Sequence, residues 1–549
     1  MAVNIPGLIS VAVFYLVILA TGVWASRKSK QEEQRSTGTR TEVALIAGRN
    51  INLVLGIFTM TATWVGGGYI LGTAAAVYNP RRGLVWGLMP LEYLIQFCIM
   101  AMFFAKPMRE KEYVTMMDPF QDKYGITLAC TLLIPALIGD VLWVACIMAS
   151  LGGTMSIILD LSSFYSICIS AAVAIIYTLL GGMFSVAYTD VIQLIFIFFS
   201  LWLCVPFLML NSSSIDISLT AFNGTLQAPW IGKLEPDETG LWIDDFLMLT
   251  LGGLASQIVH QRILSAASST QAQITCLAAA LSCFVMGIPS VLFGAVAAST
   301  DWNMTSYGSP SPYDRGEAGK ILPIALQHLT PSYISIMGIG AVAAAVMSSM
   351  DSCLLSAASL FTNNIYRTLI RKQASDREMQ WVIKISVLVV GLVGMGLAFW
   401  GNNVLAFWVV GTDVMYTLIL PQFICVLFFP ISNTYGAVGG YIVGMTLRLM
   451  SGEPLLYLPP VIHFPGCRLI DGVYVQHFPC RTLAMLLSLC AIILISYATS
   501  LLFENGFLPK RWDVLQARTH SAPSGSADEK GHVDDKHPAA SDQLLDTSC

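Results

Sequence analysis

The sequence predicts an all-α polytopic membrane protein of about 13 transmembrane helices, built on two inverted five-helix repeats (5+5). Three observations carry that expectation. The 549-residue chain is 55% hydrophobic and only 11% charged, with a mean hydropathy of +0.67. Apolar runs near the ~20 residues that cross ~30 Å of hydrocarbon recur along almost its whole length. Two of those runs, five spans apart, are interrupted by glycines.

In chain order the runs fall at about 6–26, 51–78, 84–105, 125–157, 164–182, 187–210, 241–259, 271–298, 332–360, 381–400, 403–429, 434–450 and 480–503. Thirteen is odd, so the termini lie on opposite sides. The first run lacks a basic leader and a small-residue cleavage site, which predicts a retained helix and not a signal peptide. Basic residues set the orientation, because cytoplasmic loops carry the Lys/Arg excess. Arg27, Lys28, Lys30, Arg35, Arg40 and Arg49 follow the first span; Lys106, Arg109, Lys111 and Lys123 follow the third; Arg367, Arg371, Lys372 and Arg377 follow the ninth. All three loops fall on one side. That side is predicted to be cytoplasmic, with the N-terminus extracellular and the C-terminus inside.

Three glycosylation sequons, at Asn211, Asn223 and Asn303, lie in loops that the charge rule places outside. Arg81 and Arg82, in a short outer turn, run against the rule. Most of the 13 cysteines lie within spans and behave as small hydrophobes. Cys467 and Cys480 flank an outer loop, where a disulfide and two free thiols are both open readings. The net charge of −5 is spread over both faces and points to no nucleic acid partner.

The first interruption is Thr61-Ala-Thr-Trp-Val-Gly-Gly-Gly-Tyr69 and the second Leu251-Gly-Gly-Leu-Ala-Ser-Gln257. An offset of five spans inverts the second copy relative to the first. Glycine-broken helices at matching positions of inverted repeats mark a substrate site near mid-membrane. Close helix packing is the alternative use of these glycines. The ninth span, Ala341-Val-Ala-Ala-Ala-Val-Met-Ser-Ser-Met-Asp-Ser-Cys353, offers the hydroxyls of Ser348, Ser349 and Ser352, suited to a hard cation such as Na⁺; back-bonding to the preceding turn is the competing use. Asp351 favours function, since an ionisable group within a span is a functional candidate.

Other acids divide by depth. Asp140, Asp190 and Asp413 lie near span ends, where capping competes with function. Glu92 lies deeper, beside Tyr93, and must be protonated, paired or open to a water-filled cavity. Trp64, Tyr93, Trp143 and Trp408 come from four spans and can form a cage for a cation without hydrogen-bond donors, although belt and packing roles are common.

Five segments carry a family resemblance. Thr61–Tyr69, Phe104-Ala-Lys-Pro-Met-Arg109, Ser185-Val-Ala-Tyr-Thr-Asp190, Ala344-Ala-Val-Met-Ser-Ser349 and Asn433-Thr-Tyr-Gly-Ala-Val438 resemble the sodium:solute symporter family, specifically its choline-carrying members, from the first span to about residue 510. The resemblance implies a leucine-transporter-like core and Na⁺-coupled, Cl⁻-dependent choline uptake. It further implies a plasma-membrane setting at presynaptic terminals and synaptic vesicles, supplying acetylcholine synthesis. By the same resemblance, sodium meets carbonyls around Thr61, Trp64 and Ala345 and the hydroxyls of Ser348 and Ser349, with a second site at Asp190, Ser349 and Ser352. Choline contacts carry over to Trp64, Gly67, Tyr93, Trp143, Ser256 and Trp408. Ser256 stands where the family pattern has tryptophan, Leu71 and Ala75 where it has asparagine and glutamate, and Glu92 where it has glycine. Glu92 is therefore expected to restore the carboxylate missing at position 75.

The expected organisation is an extra helix and first cytoplasmic loop (1–50), a first repeat of spans 2–6 (51–210), an extracellular loop (211–240), a second repeat of spans 7–11 (241–429), two further spans (430–506) and a polar cytoplasmic tail (507–549). Leu544-Leu545 beside Asp542 faintly resembles a sorting signal. No cofactor is expected beyond Na⁺ as coupling ion and Cl⁻ as co-ion. An enzyme would need a nucleophile and base converging in a cleft, and the 7 histidines lie mostly outside the spans. The rivals are a related symporter for another small organic solute and a non-transporting, channel-like sensor.

Overall fold

All the predicted spans fall on helix in the computed structural model, which describes residues 5–35, 39–159, 162–179, 181–400, 404–453, 458–470, 472–505, 507–513 and 515. Helix is what hydrocarbon demands, because each segment must satisfy its own N–H and C=O groups. Among the described residues, 8 helices are long and apolar enough to cross a bilayer, and Leu53–Trp64 with Gly67–Tyr78 makes a ninth as a pair bent by 50°. Length and composition therefore do not establish 13 crossings. The remaining candidates include Ser163–Leu179 and Thr434–Met450, of 17 residues each, and a second broken pair, Thr239–Gly252 with Gln257–Ser265.

Both glycine interruptions are real breaks. At the first, Val65 (φ −79°, ψ 60°) and Gly66 (φ −102°, ψ −173°) leave helical geometry. The second passes through a tight turn at Gly253–Ala255 into extended Ser256 (φ −91°, ψ 131°). Between the breaks runs the helix Ser332–Leu360, which packs on Met183–Met209, Ile126–Leu159 and both halves of the first broken helix. Its Ala341–Ala345 run is wholly buried, since small side chains let neighbouring backbones come close.

The loops sort into two faces. Those predicted to be basic hold one another: Thr41 donates to Asp376 at 3.1 Å, Arg49 to the Glu112 carbonyl at 2.6 Å, and Asn364 to Asp118 at 3.0 Å. On the same face Lys123 donates to the Phe429 carbonyl at 2.6 Å, and burial pushes its ammonium pKa down to about 8. The sequon-bearing loops meet at the other end, where Asp301 N donates to Ser213 O at 2.9 Å and Leu84 N to Trp230 O at 2.8 Å. The Arg81–Arg82 turn belongs to that second face.

Two features depart from expectation or resolve it. The all-α reading misses a small antiparallel hairpin, Arg468–Ile470 with Val473–Val475, closed at Gly472 with φ 81°. Cys467 and Cys480, on either side of it, are free thiols. Most of the tail, including Leu544-Leu545, lies outside the described residues.

Candidate transport site

The first break and the serine helix are clasped together. Ser348 Oγ lies 2.9 Å from the carbonyls of both Ala62 and Ala345. Ser349 Oγ lies 2.8 Å from the Thr63 carbonyl and 3.3 Å from that of Ala345. Glycine makes this approach possible, because a Cβ on Gly66 would collide with Ser349 and one on Gly67 with Val346. The two uses weighed for these glycines, open backbone and close packing, therefore coexist. Hydroxyls and carbonyls converge as an oxygen-rich cluster able to take a monovalent cation, with the hydroxyl protons free to rotate away.

Of the residues expected around sodium, Ala345, Ser348 and Ser349 form this cluster. Ala62 and Thr63, between Thr61 and Trp64, present the carbonyls that the serines reach. The Thr61 carbonyl instead accepts Val65 N at 2.9 Å, while its buried Oγ1 has no partner among the described residues. Around the expected second site, Asp190 Oδ2 accepts from Thr59 at 2.5 Å and Thr63 Oγ1 meets Ser352 Oγ at 3.0 Å. Ser352 also accepts from Arg262, a fully buried guanidinium that also donates to the Ile258 carbonyl at 3.3 Å. A cation of the chain itself thus stands on Ser352 in this conformation. Nothing in the sequence spacing signals Arg262 or Thr59 as members of the site.

Beside the break, aromatic rings close together. Trp64 packs edge-on against Tyr93 at 5.1 Å and Trp143 at 5.2 Å between centroids. Phe97 and Tyr69 extend the cluster, Phe97 edge-on to Trp64 at 5.6 Å and Tyr69 stacked on Tyr93 at 4.9 Å. Phe97 lies one helical turn beyond Tyr93, a spacing that places both on one helix face. Trp64 Nε1 is buried without an acceptor among the described residues. Trp408 is buried as well, and lines a cavity of about 460 Å³ together with Ala75, Met89 and Glu92. A second cavity, of about 680 Å³, runs along Gly68, Leu71 and Ala75 toward Lys320. The missing side chain of Gly67 points at Val346 and Ser150 and away from the ring cluster.

The second break contributes no ring. Ser256 is buried and caps the Gln257–Ser265 half-helix, accepting from Ile258 N at 3.4 Å. A Cβ on Gly253 would meet the Gln96 amide, one turn from Glu92 on the helix that carries Tyr93. Of the remaining acids, Asp140 is fully buried opposite Ser356 and Asp413 accepts from Arg448 at 2.5 Å.

A model of the sodium:solute symporter family matches residues 45–444. The chain belongs to that family. It is 48% identical over 522 residues to the high-affinity choline transporter 1 of Torpedo marmorata, covering 94% of this chain and 89% of that one. Against the Homo sapiens protein of the same name it is 49% identical over 518 residues, with the same coverage. Among solved structures, a Na⁺-coupled sialic acid symporter in a substrate-bound outward-open state superposes with a TM-score of 0.69 at 17% identity, covering 89% of this chain and 96% of that chain. The fold of this symporter is thus leucine-transporter-like, and its relatives are transporters and not enzymes.

Proposed function

We propose that this symporter imports choline, driven by Na⁺ entry and dependent on Cl⁻. The observation that carries the reading is the Trp64–Tyr93–Trp143 cluster, set directly against the serine-clasped break. Ring faces attract a quaternary ammonium, which offers no hydrogen-bond donor to a polar site. Trp64 Nε1, buried and without an acceptor, suits an alcohol oxygen, which choline carries and a simple tetraalkylammonium lacks. The names of the relatives support the same substrate.

In this reading Na⁺ takes oxygens from Ser348, Ser349 and the neighbouring carbonyls, and steadies the first break against the serine helix. That in turn fixes Trp64. Dissipation of the Na⁺ gradient makes inward release favourable as one repeat (51–210) rocks against the other (241–429). The protein would cross the plasma membrane 13 times, its basic face cytoplasmic, feed acetylcholine synthesis at presynaptic terminals and carry glycans at its sequons. Asn223 and Asn303 are exposed, whereas Asn211 is half-buried and donates to the Leu329 carbonyl at 2.8 Å, which favours the first two as acceptors.

Ser256 favours a second reading, in which the altered pocket takes another small organic solute. Radiolabelled choline uptake in cells expressing the chain decides between them, with Na⁺ replaced and then Cl⁻ replaced. Uptake should collapse without Na⁺ and fall without Cl⁻. Uptake indifferent to Na⁺ overturns the symport mechanism, and no uptake in full medium removes choline as substrate.

A further inference from the structure

A cavity on the basic face shares no residue with the serine clasp or the ring cluster. It measures about 160 Å³ and opens between two helices. One is Ile5–Arg35, which packs on Met183–Met209; the other is Asp376–Trp400, which packs on Ser332–Leu360 and Ser163–Leu179. Pockets for whole solutes hold roughly 300–1,000 Å³, so this one fits a single compact group.

Its charge has one sign. Lys30 and Lys384 line it from the two flanking helices, and among the described residues no acid does. The acids of neighbouring segments are engaged elsewhere: Glu42 with Arg49 at 3.4 Å, Glu378 with Arg371 at 3.1 Å, and Asp376 with Thr41 at 3.1 Å. Neither lysine has an ion-pair partner among the described residues, although Lys384 lies over the Trp381 ring at 5.4 Å.

Two further features favour an oxyanion. Gly181 and Gly182 line the cavity at the start of Met183–Met209, a 27-residue helix whose N-cap Gly182 supplies no side-chain hydrogen bond. The first N–H groups of that helix, and the positive end of its dipole, are left for an anion. Ser29 is only 3% exposed and also lines the cavity, yet its hydroxyl has no hydrogen-bond partner among the described residues. A buried hydroxyl in that state gains free energy from a ligand that bonds to it.

The setting selects the source. Two ammonium groups, a hydroxyl and a helix N-terminus together suit a phosphate. The remaining wall includes apolar Leu355 and Val387, and Trp24 and Trp381 are exposed on the same two helices, as interfacial aromatics are. Basic pockets between helices at the cytoplasmic interface meet anionic headgroups, which are concentrated in that leaflet.

We propose that this cavity binds the phosphate of an anionic phospholipid, held by Lys30, Lys384, Ser29 and the N-terminus of Met183–Met209. The leaflet follows from the proposed orientation of the basic face; the substrate of transport plays no part. A bound headgroup ties the first helix to the helix that carries Asp190.

Native mass spectrometry of the detergent-purified full chain, titrated with phosphatidylinositol phosphate and separately with phosphatidylcholine, tests the site. The parent retains the anionic lipid in preference to the zwitterionic one. Lys30→Gln combined with Lys384→Gln weakens that binding about thirtyfold, the joint share of two lysines at a membrane surface. Both lysines are exposed, so the double variant keeps the fold, which its size-exclusion profile checks. Ser29→Leu keeps every charge but fills the cavity, and weakens binding several-fold. Lys111→Gln combined with Lys372→Gln removes the same charge from exposed positions off the cavity and leaves binding within about twofold. Equal retention by the parent and the Lys30/Lys384 variant overturns the proposal, as does an equal loss in the Lys111/Lys372 control or a Ser29→Leu protein that binds like the parent. Inorganic phosphate tests the source: if it raises the melting temperature of lipid-free parent but not of the Lys30/Lys384 variant, and no lipid is retained, the ligand is soluble and the lipid proposal falls.

Discussion

The two broken helices are unequal partners. Both use glycine to admit a neighbour, yet what they admit differs. At the first break Gly66 and Gly67 make room for Ser349 and Val346, and the freed carbonyls of Ala62 and Thr63 are reached by serine hydroxyls. At the second, Gly253 makes room for the Gln96 amide, and the freed half-helix is capped by its own Ser256. The first break also carries Trp64, while the second has no ring. The serine–carbonyl cluster and the ring cluster therefore both gather at the first break, while the second presents a polar edge capped by its own Ser256.

The sharpest way to break this comparison is to add a methyl group to each side. Gly66→Ala drives a Cβ into Ser349 on a helix whose backbone is packed on all sides, and overpacking of that kind costs about 1–3 kcal/mol. Uptake per surface transporter should fall more than tenfold. Gly253→Ala meets only the end of a flexible glutamine and should keep uptake within about threefold. Equal effects of the two alanines, measured against surface biotinylation, would show that the breaks are equivalent after all.

Much of this asymmetry is legible in the sequence. Three consecutive glycines in an apolar run have few uses other than a break, and the hydroxyl pair Ser348–Ser349 in an alanine-rich helix points to a close neighbour with oxygens. What sequence spacing missed are meetings of residues far apart in the chain. Arg262 reaches Ser352 across 90 positions, and Thr59 reaches Asp190 across 131. Hydropathy reads a segment's solvent and periodicity reads its face; neither says which polar side chain waits on the neighbouring helix. The ring cluster was half visible, for Phe97 follows Tyr93 by one turn, but Tyr69 stacks on Tyr93 from a separate helix. The hairpin at 468–475 escaped because its few residues lie between two long apolar runs that dominate any composition-based reading.

A second test separates ion binding from substrate binding on the first break. Ser349→Ala removes one hydroxyl from the oxygen cluster without adding bulk. Half-saturation by Na⁺ should rise about tenfold, ~1.4 kcal/mol, with choline KM at saturating Na⁺ changed by less than about threefold. Gln96→Ala, at the corresponding contact of the second break, should leave Na⁺ half-saturation within about twofold. A Na⁺ dependence of Ser349→Ala that overlays the parent would place the coupling ion elsewhere, with the Asp190–Ser352 region the next candidate.

The smallest effect is expected from giving the second break the ring it lacks. Ser256→Trp adds a π face worth ~0.5–2 kcal/mol to a bound ammonium, but it removes a helix cap worth roughly 0.5–2 kcal/mol to the fold. The two terms act on different observables. The ring lowers choline KM, by about threefold, whereas the lost cap lowers the amount of transporter at the surface. Measuring both on the same cells keeps them apart. A lower KM with fewer transporters means that the second repeat lost a wall while keeping the position for one. Lost surface expression with an unchanged KM means that the aromatic site is complete on the first repeat and that Ser256 serves the backbone alone.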